Sequence, residues 1–381
     1  MTAPTFRVAV VGGGLAGLAC AHALAGRGLA VALFDKGRAA GGRLAARATP
    51  GQTFDLGAQY FTVRDEHFAR RARLWRTAGA CAPWAGRIVA LDGAGGPPRP
   101  VEPIERWVGT PDMGALARLL ARGLPVRSGH RVERLTRHAG GLALRGTVAP
   151  AGVGLGPAPP GAAGDEDFGT FDGVALCLPP AQAVALLEGV SPRLAGRAAA
   201  VEFDPCLALA FAAGEADEAA LRALGFDGAF VGREGAPSGS PLSWVARDSS
   251  KPRRPPGERW VLHASAAWSR ARFDLPEAET TDAMLAAFAA TFGLAPPRPA
   301  FTRLRRWAFA RAPRPLDVGA LFDDDARVGL GGDWASGGRV EGAFLSGVAL
   351  AERLLGAARG RRLGAAPPAS GAGAPKRPEA P

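Results

Sequence analysis

Gly12, Gly14 and Gly17 stand at Gly-x-Gly-x-x-Gly spacing, and Asp35 closes an apolar run a short way downstream. Together they can hold a dinucleotide, with bare backbone for a pyrophosphate and a carboxylate for a ribose. Gly12 permits a tight turn, Gly14 lets the backbone approach the phosphates, and Gly17 lets a helix press on a strand. The free amides at the helix start, over Leu15 and Ala16, would bind the phosphates with the helix dipole behind them. Asp35 would accept both ribose hydroxyls, which disfavours a 2′-phosphate. Lys36 follows, and then Gly41, Gly42 and Arg43 supply a second glycine pair. A nicotinamide enzyme has no need of that pair. A longer cofactor running on past the pyrophosphate does, so the reading is FAD.

These residues need positioning elements, and the flanking sequence supplies them. Val8 to Val11 read as a short buried strand, Leu15 to Ala25 as a helix by apolar spacing, and Ala30 to Phe34 as a second strand. Near the other end, Val328 to Leu330 form an apolar strand, Gly331 and Gly332 allow close backbone approach, and Asp333 sits where it could accept a hydroxyl proton from a ribityl chain. A helix then starts near Val340. Its interior, including Gly342, Ala343, Phe344, Ser346 and Gly347, keeps one side small and one side apolar. The opening residues of that helix, Arg339, Val340 and Glu341, would direct amides at a flavin edge, where the dipole favours negative charge. An ordinary terminal helix packed through its small residues would leave the same pattern.

Gly41-Gly42-Arg43, then Phe54 to Arg64 (FDLGAQYFTVR), then residues 332 to 347 (GDWASGGRVEGAFLSG) occur in that order. Together they resemble the renalase-like flavoproteins, part of the wider amine oxidase superfamily of FAD enzymes. The resemblance runs from Val8 to about Leu355. It implies a mixed α/β and α+β fold, with a Rossmann-like FAD-binding domain and an interleaved substrate domain on a mostly antiparallel sheet. It also implies that Arg43 contacts the pyrophosphate, that Gln59, Tyr60 and Phe61 lie alongside the isoalloxazine, and that Val132 hands its backbone to the adenine. Tyr60 is the only tyrosine. His263, in WVLHAS, resembles the family segment that places a histidine near the flavin; with Tyr60 it is the expected catalytic residue. A hydrogen-bonded core histidine remains open on the residues alone.

The implied reaction is oxidation of isomeric dihydronicotinamides, 2- or 6-dihydro-NAD(P), to NAD(P)+ by hydride transfer to the flavin, with electrons passed to O2. Such a substrate needs no base, since hydride loss yields an aromatic cation directly. Two rivals stand beside this: an amine oxidase acting on a small amine, for which only Lys251 could supply a lysine near the flavin, and a flavin-binding protein without turnover. A plain NAD-dependent dehydrogenase is weaker. No cysteine follows Cys206, so the FAD is expected to be non-covalent.

Composition bounds the remainder. The chain has 381 residues, 47% of them hydrophobic, enough for one large or two moderate cores. No uninterrupted apolar run of about 18 residues occurs, and the N-terminal apolar stretch holds the dinucleotide turn, so a cytoplasmic protein without membrane contact is expected. Cys20, Cys81, Cys177 and Cys206 show neither disulfide nor metal spacing; no metal is expected. The net charge of +11 is nearly all arginine, scattered among acids. No basic stripe with interleaved aromatics stands out, so nucleic acid is not an expected partner. The partners expected are a small-molecule substrate, a dihydronicotinamide dinucleotide by the resemblance, and O2.

The domain reading interleaves. Segments 1–74, 109–192 and 316–362 would build the FAD-binding domain, and 75–108 and 193–315 the substrate domain. Val126 to Leu135, Gly141 to Val148, Phe171 to Leu178, Leu207 to Ala212, Leu242 to Arg247 and Trp260 to Ser265 read as strands, Ala181 to Leu187 and Thr281 to Phe292 as helices. Residues 149–168 read as a flexible excursion rich in Gly, Pro and Ala, and 363–381 as a disordered tail.

Overall fold

The computed structural model describes residues 5–49, 52–92, 97–150, 152–156, 164–232 and 240–364. Val8 and Val10 and their neighbours are buried on both faces, as a parallel strand between helical layers requires. That strand, Arg7–Val11, lies centrally in a six-stranded sheet ordered Leu321–Asp323, Val328–Leu330, Gly173–Leu176, Arg7–Val11, Ala30–Asp35, Val126–Ser128. All pairings are parallel except that of the Leu321–Asp323 edge strand. The Leu15–Ala25 helix follows the central strand, and the long Val340–Gly364 helix crosses it. A Cβ on Gly347 would stand 2.1 Å from the Ala16 carbonyl oxygen. The two helices therefore meet backbone to backbone, and the small stripe in the second one is a packing necessity.

A second, seven-stranded sheet runs Phe301–Arg311, Asp204–Ala212, Arg259–Ala264, Leu242–Arg247, Gly228–Val231, Ile88–Leu91, Arg99–Pro100. It is antiparallel except where Gly228–Val231 meets Ile88–Leu91. Alternation along its strands gives it two faces. Leu207, Leu209, Phe211 and Leu262 pack on Met284 and Phe288 of the Glu277–Phe292 helix. Ala208, Ala210 and Val261 turn the other way, onto Phe54 and Leu56. The smallness of those alanines lets the segment carrying Tyr60 lie close to the sheet.

Two expected strands are each divided. Val126 to Leu135 breaks at Gly129, whose φ of +72° turns the chain out of the parallel sheet; His130–His138 then joins Gly141–Val148 and Glu166–Phe171 in a separate three-stranded sheet. Phe171 to Leu178 breaks at Asp172, so that Glu166–Phe171 and Gly173–Leu176 serve different sheets. The expected excursion is also shorter at its end, because Glu166 already begins a strand, while residues 151 and 157–163 lie outside the described residues. The final helix continues through 363 and 364, and 365–381 lie outside the described residues. Cys20 is buried as expected, whereas Cys177 is half-buried. Among the described residues no helix is long and apolar enough to cross a membrane.

Candidate functional site

The dinucleotide turn separates its glycines by role. A Cβ on Gly12 (φ +104°) would lie 2.3 Å from the Cys177 carbonyl oxygen, and one on Gly17 1.8 Å from that of Gly12. Both positions exclude a side chain for reasons internal to the fold. Gly14 is different: a Cβ there would meet nothing within 4 Å. It faces open space at the start of a helix that no side chain caps. The Leu18 amide closes the first turn on Gly14 O at 2.9 Å, so the preceding amides of Leu15, Ala16 and Gly17 have no intrahelical acceptor. The second glycine pair folds against the first, with Gly41 N donating to Gly13 O at 2.7 Å and a Cβ on Gly42 (φ +52°) falling 3.2 Å from the Gly14 Cα.

Asp35 ends the second strand with Oδ2 accepting from Gly13 N at 2.6 Å and Oδ1 from Gly37 N at 2.7 Å. Each oxygen keeps acceptor capacity for a hydroxyl. Burial pushes its carboxyl up in spite of those two amides. Lys36 Nζ reaches Gln182 Oε1 at 3.4 Å, and burial lowers its ammonium, with Arg131 and Arg305 adding to the effect. Val132 is buried opposite Gly146, immediately before a register shift in its strand pair; Gly129 N, nearby, donates to Gly37 O at 2.8 Å. These groups fit the adenosine diphosphate half of FAD, because open space, unpartnered amides and a ribose acid coincide.

In the other half, the side chains expected around the ribityl chain and the isoalloxazine are engaged by the protein itself. Asp333, expected to face a ribityl hydroxyl, has both oxygens engaged by Arg43, at 2.9 Å from Nη1 and 2.5 Å from Nη2. Arg43 Nη1 also donates to Ala310 O at 2.8 Å. The two charges sit 33% and 9% exposed, where a bidentate pair is strong, so the first and third blocks are tied to each other. Glu341 turns its carboxylate onto the amides of Arg64 and Asp65, at 2.7 and 2.8 Å, and joins the third block to the second. Only the backbone of its helix start, with Val340, is left to face a cofactor; the Arg339 side chain is exposed. Gln59 is folded inward, with Nε2 donating to Asp55 O and Gly57 O and Oε1 accepting from Lys251 Nζ at 3.2 Å. Phe61 likewise belongs to the core, exchanging backbone hydrogen bonds with Trp107 and packing on Phe68.

Tyr60 is the aromatic of this block that is not buried. Its ring lies 6.4 Å from that of Trp84 and 5.5 Å from that of Trp244, with the Arg106 guanidinium 5.3 Å from its centroid. Behind it stands a buried quartet that sequence reasoning missed except for its lysine. Lys251 Nζ donates to Asp248 Oδ1 at 2.7 Å, to Asp55 Oδ2 at 3.2 Å and to Gln59 Oε1 at 3.2 Å, and Arg254 pairs with Asp55 and, at 3.8 Å, with Asp248. The two cations hold the Asp55 carboxyl down against its burial, whereas burial and the neighbouring Asp55 push Asp248 up. Asp248 and Lys251 are a visible i, i+3 pair; Asp55, 196 residues away from the lysine, had no local signal.

Register brings one row across the second sheet: Arg305 opposite Ala208, Ala208 opposite His263, His263 opposite Trp244, Trp244 opposite Phe230. These share a face. His263 Nε2 and Trp244 Nε1 are buried without a hydrogen-bond partner among the described residues. Burial lowers the His263 imidazole to about 4, with the Lys251 cation adding and a hydrogen bond to the Leu56 backbone opposing. It is neutral at pH 7. Trp307 donates to Leu56 O at 2.9 Å, while Trp260 and Trp268 belong to the core beneath the other face. Among the described residues no group of three His, Cys, Asp or Glu could hold a metal ion.

Residues 10–76 match the NAD(P)-binding Rossmann-like domain family, and residues 88–355 match the family described as flavin containing amine oxidoreductase. The fold is similar to that of a wild-type putrescine oxidase bound to putrescine, with a TM-score of 0.67 at 14% identity over 93% of this chain and 100% of that one. It is similar as well to cyclohexylamine oxidase from Brevibacterium oxydans IH-35A, with a TM-score of 0.68 at 12% identity over 94% and 100%. A hydroxyneurosporene desaturase of Rubrivivax gelatinosus is 46% identical over 68 residues, which is 17% of this chain and 13% of that protein.

Proposed function

We propose, since the chain belongs to the flavin containing amine oxidoreductase family and its cofactor is FAD, that it oxidises isomeric dihydronicotinamides to NAD(P)+ and passes the electrons to O2. When bound, FAD supplies the hydride acceptor. The amides of Leu15, Ala16 and Gly17 hold the pyrophosphate, Asp35 holds a ribose, and Tyr60 forms the wall on the side of Trp84 and Trp244. His263 stays neutral and orients the substrate carboxamide; it removes no proton, because departure of hydride leaves the ring aromatic.

The observation that carries this reading is the state of Lys251. All three of its N–H donors are directed at Asp248, Asp55 and Gln59, so none remains to hold a water for amine chemistry. Chemistry that needs no lysine and no base fits what is left. The test is anaerobic mixing of the FAD-loaded protein with 2- and 6-dihydro-NAD(P): flavin colour should bleach, and a flavin that stays oxidised sinks the proposal. The amine oxidase reading keeps one observation in its favour, the aromatic surround that Trp84 and Trp244 give Tyr60. Bleaching by small amines alone would select it.

A further inference from the structure

Five buried polar atoms that have no hydrogen-bond partner among the described residues lie close to one another. Arg106 Nε and Trp244 Nε1 flank the Tyr60 ring, His263 Nε2 is the cross-strand neighbour of Trp244, and Asp248 Oδ2 faces Arg254 Nε at 3.8 Å. Arg106 and Trp244 are 8% and 6% exposed. Each such group costs stability unless something completes it. The last two atoms complete one another electrostatically. The first three have no such counterpart, and two of them, the guanidinium Nε–H and the indole N–H, can only donate.

The acids nearby are already in use. Asp55 and Asp248 are committed to Lys251 and Arg254, and Glu105 accepts from Trp107 Nε1 at 2.9 Å. Glu102 and Glu105 are exposed and line a cleft of about 490 Å³ between residues 83–88 and 101–106. The cleft has Trp84 and Arg106, both neighbours of Tyr60, in its lining, and its volume suits a small ligand. A protonated amine beside Tyr60 would therefore meet the Arg106 guanidinium, while the two carboxylates of the cleft, Glu102 and Glu105, are exposed to solvent.

We propose that the Tyr60 face selects an uncharged or anionic planar substrate through an oxygen acceptor, with Trp244 and Arg106 as its specificity-determining donors and His263 as a third, neutral contact. This rests on the flavin lying at Tyr60, and it extends the reading above by naming what recognises the carbonyl. Completion of the two donors turns their desolvation into binding selectivity.

The test titrates the FAD-loaded protein with benzamide, benzoate and benzylamine, following flavin absorbance and, separately, calorimetric heat. Benzamide and benzoate should bind at least about tenfold more tightly than benzylamine. Trp244→Phe and Arg106→Met should each weaken benzamide about three- to tenfold, the loss of one hydrogen bond, with FAD content retained, benzylamine unchanged in Trp244→Phe and bound no more weakly in Arg106→Met. Equal or tighter binding of benzylamine by the wild-type protein overturns the proposal without any variant, as does a Trp244→Phe protein with undiminished benzamide affinity. Dihydronicotinamide isomers that fail to bleach a protein with the expected ligand order would sink the substrate assignment alone; bleaching without that order would sink the donor assignment alone.

Discussion

Lys251→Met removes one cation from a quartet whose side chains are at most 1% exposed. Arg254 then faces both carboxylates, and one buried negative charge has no counterion. Breaking a buried pair by deleting one partner costs about 3–5 kcal/mol, against a stability of about 5–15 kcal/mol for a whole domain. The double variant Lys251→Met/Asp248→Asn restores charge balance, since Asp55 keeps Arg254 and the Met113 amide at 2.9 Å. It should recover more than half of the loss, with the remainder due to Gln59 Oε1, which lacks its donor in both variants. Urea unfolding followed by tryptophan fluorescence reads this well, because Trp84 lies 5.8 Å from the lysine nitrogen. A single variant that loses less than about 1 kcal/mol, or a double variant no more stable than the single, would refute the reasoning that burial and charge balance govern this lysine. The same double variant bears on chemistry: with the fold intact, dihydronicotinamide oxidation should persist at a rate within about tenfold of wild type, whereas an enzyme using Lys251 to hold water would lose about 10²-fold or more.

Gly17→Ala should lower the thermal midpoint and abolish FAD retention together, because its Cβ would fall 1.8 Å from Gly12 O. Gly14→Ala meets no protein atom within 4 Å, so it should leave the apoprotein midpoint nearly unchanged while weakening FAD affinity by about tenfold or more; equal effects of the two substitutions on the apoprotein would contradict the separate roles. His263 has a folded value of about 4 against an ordinary 6.5, so the unfolded chain takes up the proton first as pH falls. Stability should decline from about pH 6.5 toward pH 4, by up to about 3 kcal/mol, and His263→Gln should flatten urea midpoints over that window. Acid precipitation should leave the yellow colour in the supernatant, since no cysteine after Cys206 can attach the flavin; colour in the pellet would show a covalent bond.

The parts of the fold that could be read from the chain are those whose cause is local. The Leu15–Ala25 helix has its observed bounds in its apolar spacing, and the Val328–Leu330 strand likewise. Where one run of strand-forming residues serves two sheets, periodicity is silent: RVERL continues the pattern of VRS across Gly129, and only the positive φ of that glycine sends it to a different sheet. The dinucleotide turn was equally legible, because each glycine answers to a neighbour within one strand-turn-helix unit or to the strand beside it. Arg43, Asp333, Glu341 and Gln59 come from the blocks that the resemblance puts around one cofactor, and in the fold their side chains satisfy one another, Lys251 or the backbone. Pairing across 290 residues depends on which charged groups become buried together, and that is a property of the assembled fold.

The substrate side shows why such information is unreadable before folding. His263, Trp244, Phe230 and Arg305 come from four strands, and a slip of one residue in any pairing would turn that strand's contribution onto the opposite face. The register is set by the apolar residues between them: Leu262 and Val245 must face the Glu277–Phe292 helix, which obliges His263 and Trp244 to face Tyr60. The polar residues thus inherit their positions from hydrophobic partners on the far side of the sheet. Among these, Trp244 and His263 are left with buried nitrogens that nothing among the described residues completes. A sheet can carry that cost in its interior only if register, fixed by burial of about 1.5–3 kcal/mol per large apolar side chain, outweighs about 1–3 kcal/mol per unsatisfied group. Several apolar residues against two nitrogens satisfy that condition. Replacing Leu262 by Ala should therefore loosen the site through register before it loosens the fold, and it should be detectable as a rise of the His263 imidazole toward 6.5 in an NMR titration; an unchanged imidazole in a destabilised protein would show that the strand pairing is held by something other than its far face.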